Sequence, residues 1–302
     1  MDIALVFFSA TGNTRYIARI IGDEFRTEGA TVTFHDITTA DSRKKGLDVS
    51  RYDAIIFGFP VHSLRAPRVI REWLTTLAGD GMRCAMFFTF GGFMVHPAHY
   101  STAQILEKQG FVVVSSAEFP GRHTYNLGGW NAFPDRPDHR ERALAQEYAA
   151  AASARFTAKD SQTVSELDQG MFTDEQLDAF EHYRFKIITE IPGRKTATCS
   201  LCGLCESLCP TEAMDHLRGT ADPARCITCL RCVDSCPDKV ITINSTRESW
   251  PLKLSMSRTT EQEVNSQRGR IYLEEKSQKS PGTENMAGSN SLHATTTDEN
   301  HH

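Results

Sequence analysis

Short apolar segments alternate with amphipathic ones along the first half of the chain. Residues 3–8 form a continuously apolar run rich in strand formers, which is typical of a strand buried on both faces of a parallel sheet. From Asn13 to Phe25 the apolar residues recur at helical spacing, so the pattern predicts a helix that ends near Gly29. Further strands are predicted over residues 31–36, 53–59, 83–90 and 111–114.

Helices are predicted between and after these strands, over residues 13–29, 67–79, 103–109 and 138–156. Strands that alternate with helices predict an α/β fold, here a doubly wound five-stranded parallel sheet over residues 1–156. Residues 119–137 would then form a long loop after the fifth strand. Its aromatic side chains, Tyr125, Trp130 and Phe133, favour a lid over a flexible linker.

Three further segments follow the predicted sheet. Residues 157–193 are interpreted as a helical bridge, because Thr173 and Gln176 occupy capping-box positions before an apolar helical face. Residues 194–245 contain eight of the nine cysteines and are expected to form a separate small domain. Residues 246–302 are polar and rich in Ser, Thr, Asn and Glu, which predicts a disordered tail.

The composition argues against some classes of partner. The chain of 302 residues has a formal net charge of -5 and no concentrated stripe of Lys and Arg, so a nucleic-acid partner is not expected. No apolar run approaches the roughly 18 residues that would span a bilayer. Residues 3–8 lack the basic flank and the length of a secretory signal. The sequence therefore predicts a soluble cytoplasmic protein.

Eight cysteines fall in two runs with the same spacing, C-x2-C-x2-C-x3-C-P. The first run begins at Cys199 and the second at Cys226. This spacing is typical of bacterial proteins that hold two [4Fe-4S] clusters. Zinc is disfavoured, because its ligands usually come as two Cys pairs separated by a longer loop. Disulfides are disfavoured because no secretory signal is recognised. The runs are Cys199, Cys202, Cys205 and Cys209, then Cys226, Cys229, Cys232 and Cys236.

The same rule predicts that the ligand sets cross, because the fourth cysteine of each run binds the other cluster. One cluster is expected on Cys199, Cys202, Cys205 and Cys236, and the other on Cys226, Cys229, Cys232 and Cys209. From Cys199 to about Ile243 the chain resembles a bacterial-type ferredoxin. The resemblance implies a small α+β domain that transfers single electrons. The ninth cysteine, Cys84, is interpreted as a small buried hydrophobe.

A loop of small polar residues follows the first predicted strand and reads Ser9-Ala10-Thr11-Gly12-Asn13-Thr14. Hydroxyl groups together with the N–H groups of a helix N-terminus favour a phosphate, and glycine permits a close approach of the backbone. The loop lacks the lysine of nucleoside triphosphate loops and the spacing of dinucleotide loops, which leaves a phosphate monoester as the expected ligand. An ordinary helix cap is the alternative interpretation.

The S-x-T-G-x-T motif resembles the phosphate loop of flavodoxins, and the resemblance implies that residues 1–156 bind FMN. Ligands of open α/β sheets lie at the carboxyl ends of the strands, so the loops after the third and fourth strands are expected to hold the flavin ring. These loops read Phe59-Pro60-Val61-His62-Ser63 and Phe90-Gly91-Gly92-Phe93. The two glycines would allow close backbone approach, and Phe59, His62, Phe93 or Tyr125 would stack on the ring.

A flavodoxin-like domain followed by a two-cluster ferredoxin resembles the EFR-type ferrodoxin family over residues 1–245. The resemblance implies an iron–sulfur flavoprotein that passes electrons between two [4Fe-4S] clusters and FMN, with redox proteins as donor or acceptor. A flavin-dependent reductase of a small organic or quinone-like acceptor is a second hypothesis and would make the chain an oxidoreductase. A redox sensor with structural clusters and no flavin is a third.

Overall fold

The computed structural model describes residues 1–158, 162–164, 167, 169–195 and 198–273. The strands are Asp2–Phe7 (β1), Thr31–Asp36 (β2), Ala54–Pro60 (β3), Arg83–Phe90 (β4), Val112–Pro120 (β5), Gly193–Arg194 (β6), Met214–Asp215 (β7), Thr220–Ala221 (β8), Ile241–Thr242 (β9) and Arg270–Tyr272 (β10). The α-helices are Asn13–Thr27 (α1), Ala40–Lys44 (α2), Arg68–Leu74 (α3), His96–Lys108 (α4), His139–Thr157 (α5), Asp174–Ile187 (α6), Leu204–Ser207 (α7), Arg231–Asp234 (α8), Ser249–Met256 (α9) and Glu261–Ser266 (α10).

The large sheet has the strand order β10-β5-β4-β3-β1-β2, and β1 to β5 are parallel. This confirms the predicted doubly wound α/β fold. The apolar strands are buried on both faces. Ile17 of α1 and Tyr148 of α5 belong to the core on one face, and Trp73 of α3 and Leu106 of α4 belong to the core on the other. The carboxyl ends of β1, β3 and β4 therefore lie together at one end of a sheet whose two faces are covered by helices.

The sheet has a sixth strand that the sequence did not predict. β10 pairs antiparallel with β5, so that Arg270 lies opposite Glu118. The prediction of a disordered tail is therefore wrong for residues 246–273, which include α9, α10 and β10. Few apolar residues occur there, but Trp250, Val264 and Tyr272 are all buried, which offsets the cost of ordering the chain. The rest of the predicted tail, residues 274–302, lies outside the described residues.

Two elements are longer than the sequence predicted. α4 begins at His96 instead of residue 103, and β5 runs to Pro120 instead of ending at residue 114. Polar side chains interrupt the apolar patterns of α4 and β5. In the structure these side chains are buried and hydrogen-bonded to one another or to Tyr272. Ser116 Oγ and His99 Nδ1 are hydrogen-bonded at 2.6 Å, and the Tyr272 hydroxyl donates to Glu118 Oε2 at 2.8 Å.

The cysteine-rich region forms a second, small α+β unit. Its four short strands are ordered β7-β8-β6-β9 and pair antiparallel, with α7 and α8 beside them. The unit contacts the large sheet domain directly. Lys44 Nζ lies 2.7 Å from Glu212 Oε1, and Arg231 Nη1 donates to the Ser9 carbonyl oxygen at 3.3 Å. The two units therefore meet beside the loop that follows β1.

α6 begins with the predicted capping box. The Gln176 N–H donates to Thr173 Oγ1 at 3.3 Å, and the Thr173 N–H donates to Gln176 Oε1 at 3.0 Å. Glu181 of α6 pairs with Arg71 at 2.8 Å, which fixes the helix on the large domain. The predicted domain boundaries stay a prediction. No helix in the described ranges has the length and the apolar character needed to cross a membrane.

Candidate functional site

The loop between β1 and α1 has the geometry of an anion site. Gly12 caps α1 with a φ of 101°, in the left-handed region that favours glycine, and contributes no side-chain cap. Ser9 Oγ accepts a hydrogen bond from the Arg15 N–H at 3.1 Å. The Thr14 hydroxyl is buried and lies 2.8 Å from Thr89 Oγ1, whereas Thr11 remains half-buried. The N–H groups at the start of α1 and the Thr11 hydroxyl just before the helix therefore offer donors to a ligand.

A cavity of about 450 Å³ joins this loop to the loops after β3 and β4. Its size is within the range of cofactor sites. Most residues predicted to contact the flavin line it, and the structure therefore brings the phosphate loop and both ring loops together. They are Ser9, Ala10, Thr11, Asn13, Thr14, Pro60, Val61, His62, Ser63, Phe90, Gly91 and Phe93.

Three of the expected contacts do not line the cavity. Phe59 is fully buried in the core, where its ring lies 6.2 Å from Phe57 and 6.4 Å from Phe88 between ring centroids. Gly12 lies in the loop but not on the cavity wall, and a Cβ at Gly92 would meet Val264. Stacking of Phe59 on a flavin ring is therefore not possible in this conformation, whereas His62, Phe93 and Tyr125 line the cavity.

Gly91 permits a close contact between two loops of the site. A Cβ at this position would collide with the ring of His123, so glycine lets the loop after β5 close against the loop after β4. His123 Nδ1 accepts a hydrogen bond from the Tyr125 N–H at 3.0 Å. Burial, followed by the charge of Lys253, lowers the pKa of His123 to about 3. The imidazole is therefore neutral at ordinary pH and acts as an acceptor that orders the loop.

The sequence interpretation missed one wall of the cavity, which the chain supplies after the cysteine-rich unit. Trp130 Nε1 donates to Ser249 Oγ at 2.9 Å, and the Trp130 and Trp250 rings lie 5.2 Å apart. Leu252 and Lys253 of α9 line the cavity itself. A capping box before α10, in which the Glu263 N–H donates to Thr260 Oγ1, was the available signal that this region folds.

No disulfide joins the nine cysteines, all of which lie in the described residues, and some of them have electrostatic neighbours in the other run. Burial raises the pKa of Cys205, and the charges of Cys202 and Cys236 add to this rise. Burial raises the pKa of Cys229 to about 12, with the charges of Cys226 and Cys209 adding to it. The fourth cysteine of each run thus lies near thiols of the other run. Cys205 also acts on Cys232, so the crossed ligand sets stay a prediction.

The backbone around the cysteines repeats with the sequence. Three pairs of residues with positive φ are related by the spacing of the two runs: Leu201 (54°) and Thr228 (48°), Gly203 (72°) and Leu230 (57°), and Glu212 (54°) and Lys239 (56°). Left-handed conformations are costly for Leu and Thr and persist only where surrounding structure imposes them. These turns direct N–H groups toward sulfur: Ala213 N–H donates to Cys209 Sγ at 3.2 Å. Two equivalent cradles that fit inorganic clusters result.

The two cradles differ in their surroundings. Cys229 is 7% exposed and belongs to the same core as Phe90 of the large sheet. Thr228 lines the cavity, and its N–H donates to Cys226 Sγ at 3.4 Å. In the first run, Cys202 is exposed, as is Leu201. The second cysteine run therefore approaches the cavity through Thr228, whereas the first run exposes Cys202 and Leu201 to solvent.

Two family models match the chain. A model described as a flavodoxin domain matches residues 4–125, and a model described as a 4Fe-4S dicluster domain matches residues 191–250. The two matches lie in the order expected from the sequence motifs, and each covers the corresponding cavity loops or cysteine runs.

Among solved structures, a flavodoxin from the domain Archaea is 14% identical, with 52% of this chain and 100% of that chain covered and a TM-score of 0.40. Flavodoxin 2 from Bacillus cereus is 15% identical, with 51% and 98% covered and a TM-score of 0.39. The metal-soaked Flv1 flavodiiron core from Synechocystis is 20% identical, with 52% and 36% covered and a TM-score of 0.40. No curated protein matches the chain.

Proposed function

We propose that this chain, a flavodoxin domain followed by a 4Fe-4S dicluster domain, relays electrons in one molecule between two [4Fe-4S] clusters and FMN. The first domain implies FMN binding and the second implies iron–sulfur clusters, so the chain is an iron–sulfur flavin electron-transfer protein. When bound, the clusters supply single-electron transfer and FMN supplies one- or two-electron chemistry. The proposal rests on Thr228, which lines the cavity and whose backbone N–H donates a hydrogen bond to Cys226 Sγ.

The residues have separate roles in this proposal. Thr11, Asn13 and the first N–H groups of α1 bind the phosphate, because they combine donors with the positive end of a helix dipole. Phe93 and the backbone of residues 60–63 position the ring. The thiolates of Cys226, Cys229, Cys232 and Cys209 hold an inner cluster beside the cavity. Those of Cys199, Cys202, Cys205 and Cys236 hold an outer cluster.

The proposed order of transfer follows from burial. Cys229 is buried against the flavodoxin domain, which supports an inner position for its cluster. The exposed Cys202 and Leu201 support contact between the outer cluster and a redox protein. Leu252 and Lys253 of α9 line the cavity together with Trp130 of the loop after β5, and this added wall supports entry of electrons through the clusters in preference to the flavin edge.

Single substitutions test this order. Cys202→Ser removes a ligand of the outer cluster, and Cys229→Ser removes a ligand of the inner one. If the order is right, each change alone slows FMN reduction by a ferredoxin donor at least tenfold in an anaerobic stopped-flow experiment. Slowing by Cys229→Ser alone would show that the donor reaches the inner cluster directly, and the proposed order would then be wrong.

A second candidate function, reduction of a small organic or quinone-like acceptor, is favoured by the wall that α9 adds to the cavity. Met256 and Leu252 give this wall an apolar surface that suits a planar acceptor. The reduced protein would then be oxidised by a soluble benzoquinone with saturation kinetics. Met256→Trp should raise the KM for the quinone without changing the rate of reduction by ferredoxin. A linear dependence on quinone concentration in both proteins would reject a binding site.

A further inference from the structure

Lys253 is the cation that α9 brings to the wall of the cofactor cavity. Its Nζ lies 4.4 Å from the centroid of the Phe93 ring, and its side chain is half-buried. Among the described residues, no Asp or Glu lines the cavity and no carboxylate forms a salt bridge with Lys253. The other cationic residue of the cavity wall, Arg122, has an acidic neighbour, because Asp234 lies 3.8 Å from it. Lys253 therefore contributes an uncompensated positive charge.

The ammonium lies at the ring end of the cavity. Phe93, which it covers, belongs to the loop after β4, and this loop is one of the two expected to hold the flavin ring. The Trp130 and Trp250 rings pack against Phe93 at 5.8 and 6.1 Å between centroids, so the position of Phe93 is fixed. The phosphate has its own donors at the first turn of α1, where Gly12 leaves the helix without a side-chain cap. The charge of Lys253 is thus not needed there.

A half-buried ammonium without a counter-ion is unfavourable, and burial accordingly lowers the pKa of Lys253. A negative charge at the ring end of the cavity would relieve this cost. An isoalloxazine ring is uncharged when oxidised and gains negative charge when reduced at neutral pH. A protein charge near the ring nitrogens is one of the ways in which proteins tune flavins.

We propose that Lys253 is the counter-charge of the reduced flavin ring, so that the protein binds reduced FMN more tightly than it would without this residue. The inference rests on the proposed FMN site. Preferential binding of the reduced form raises the reduction potential of the bound flavin, because the two affinities and the potential are linked. A higher reduction potential of the flavin favours electron flow from the clusters toward it. In this proposal α9 raises the reduction potential of the flavin through Lys253, in addition to forming a wall of the cavity.

The test compares Lys253→Gln with the wild-type holoprotein in two measurements. Fluorescence titration gives the affinity for oxidised FMN, and an anaerobic redox titration followed at the flavin absorbance gives the midpoint potential. The proposal predicts less than a twofold change in the affinity for oxidised FMN and at least a tenfold loss of affinity for reduced FMN. A tenfold loss lowers the two-electron midpoint by about 30 mV.

Two variants serve as controls. Lys253→Arg keeps the charge and should retain the wild-type midpoint. Lys108→Gln removes an exposed lysine at the C-terminal end of α4, at the end of the sheet opposite the cavity. This change should alter neither measurement. Unchanged cluster absorbance verifies that each variant is folded.

Distinct results would overturn the proposal. An unchanged midpoint in Lys253→Gln would show that the charge does not act on the ring. Equal losses of affinity for oxidised and reduced FMN would assign Lys253 to the phosphate or to the neutral ring. Failure of the wild-type protein itself to bind FMN would instead reject the proposed function, so the two failures can be told apart.

Discussion

The backbone N–H of Thr228 donates a hydrogen bond to Cys226 Sγ at 3.4 Å, and Thr228 also lines the cofactor cavity. The equivalent bond in the first run joins the Leu201 N–H to Cys199 Sγ, also at 3.4 Å, but Leu201 is 51% exposed. The same local geometry thus occurs once at the cavity and once at the surface. This asymmetry within a repeat gives the proposed relay an inner and an outer end.

The crossed ligand sets predict which cluster each substitution damages. Cys209→Ala should perturb the electron paramagnetic resonance signal of the inner cluster, because the crossed sets assign Cys209 to the cluster of the second run. Cys236→Ala should perturb the outer cluster for the corresponding reason. Cys84→Ala is the control, since this thiol is fully buried within the large sheet and should leave both signals intact. Identical effects of Cys209→Ala and Cys202→Ala would contradict the crossed arrangement.

Two threonines of the phosphate loop should behave differently. Thr11→Val should weaken FMN binding by about 1.5 to 3 kcal/mol, because it removes a hydrogen bond to a charged group. Riboflavin, which lacks the phosphate, should be bound poorly by the wild-type protein and unaffected by this change. Fluorescence titrations with both flavins make the comparison.

Thr14→Val is the matched variant. Because its hydroxyl is bonded to Thr89 Oγ1, removing it leaves a buried partner unsatisfied and should reduce stability by about 1 to 3 kcal/mol. Thermal unfolding should detect the change, and Thr89→Val should not add to it. A loss of FMN affinity in Thr14→Val equal to that in Thr11→Val, without lower stability, would show that both hydroxyls bind the phosphate.

The sequence predicted the elements and sites whose signals are local. β2 and β4 have the predicted bounds. Each cysteine run indicates cluster binding by the spacing of residues that are close in the sequence. Phe59 was misinterpreted because β3 is apolar on both faces, so the pattern does not reveal which side chains point to a ligand. Neighbouring residues of a strand point to opposite faces, and Pro60 lines the cavity whereas Phe59 lies in the core.

The missed wall depends on contacts between distant parts of the chain. The predicted fifth strand ended at residue 114, because polar residues follow it and Tyr272, the partner of Glu118, lies 154 residues away. Trp130 and Ser249 are 119 residues apart, and neither alone indicates an ordered tail. A weakly apolar segment can be ordered when a few of its side chains, here Trp250, Val264 and Tyr272, are buried, and local composition does not show which ones will be.

The bond between Tyr272 and Glu118 predicts how firmly β10 is attached. Tyr272→Phe removes the donor and leaves a buried carboxylate short of a partner, which should reduce the free energy of local opening by about 1 to 3 kcal/mol. Hydrogen exchange of peptides that contain Arg270–Tyr272 should then be faster by roughly tenfold to a hundredfold. Tyr16→Phe, at a 36% exposed tyrosine of α1, is the control and should leave this exchange unchanged. Unaltered exchange in Tyr272→Phe would mean that β10 is held by the strand pairing alone.

The internal relay is tested most directly by removing both cluster routes while keeping the flavin. The double variant Cys202→Ala and Cys229→Ala should still bind FMN, because the phosphate loop and the ring loops belong to the flavodoxin domain. Anaerobic stopped-flow absorbance then follows FMN reduction by a ferredoxin donor, with Cys84→Ala as the control. The account predicts a rate at least a hundredfold below that of the wild type. Reduction at the wild-type rate, with FMN still bound, would contradict the relay and show that the flavin and the clusters receive electrons independently.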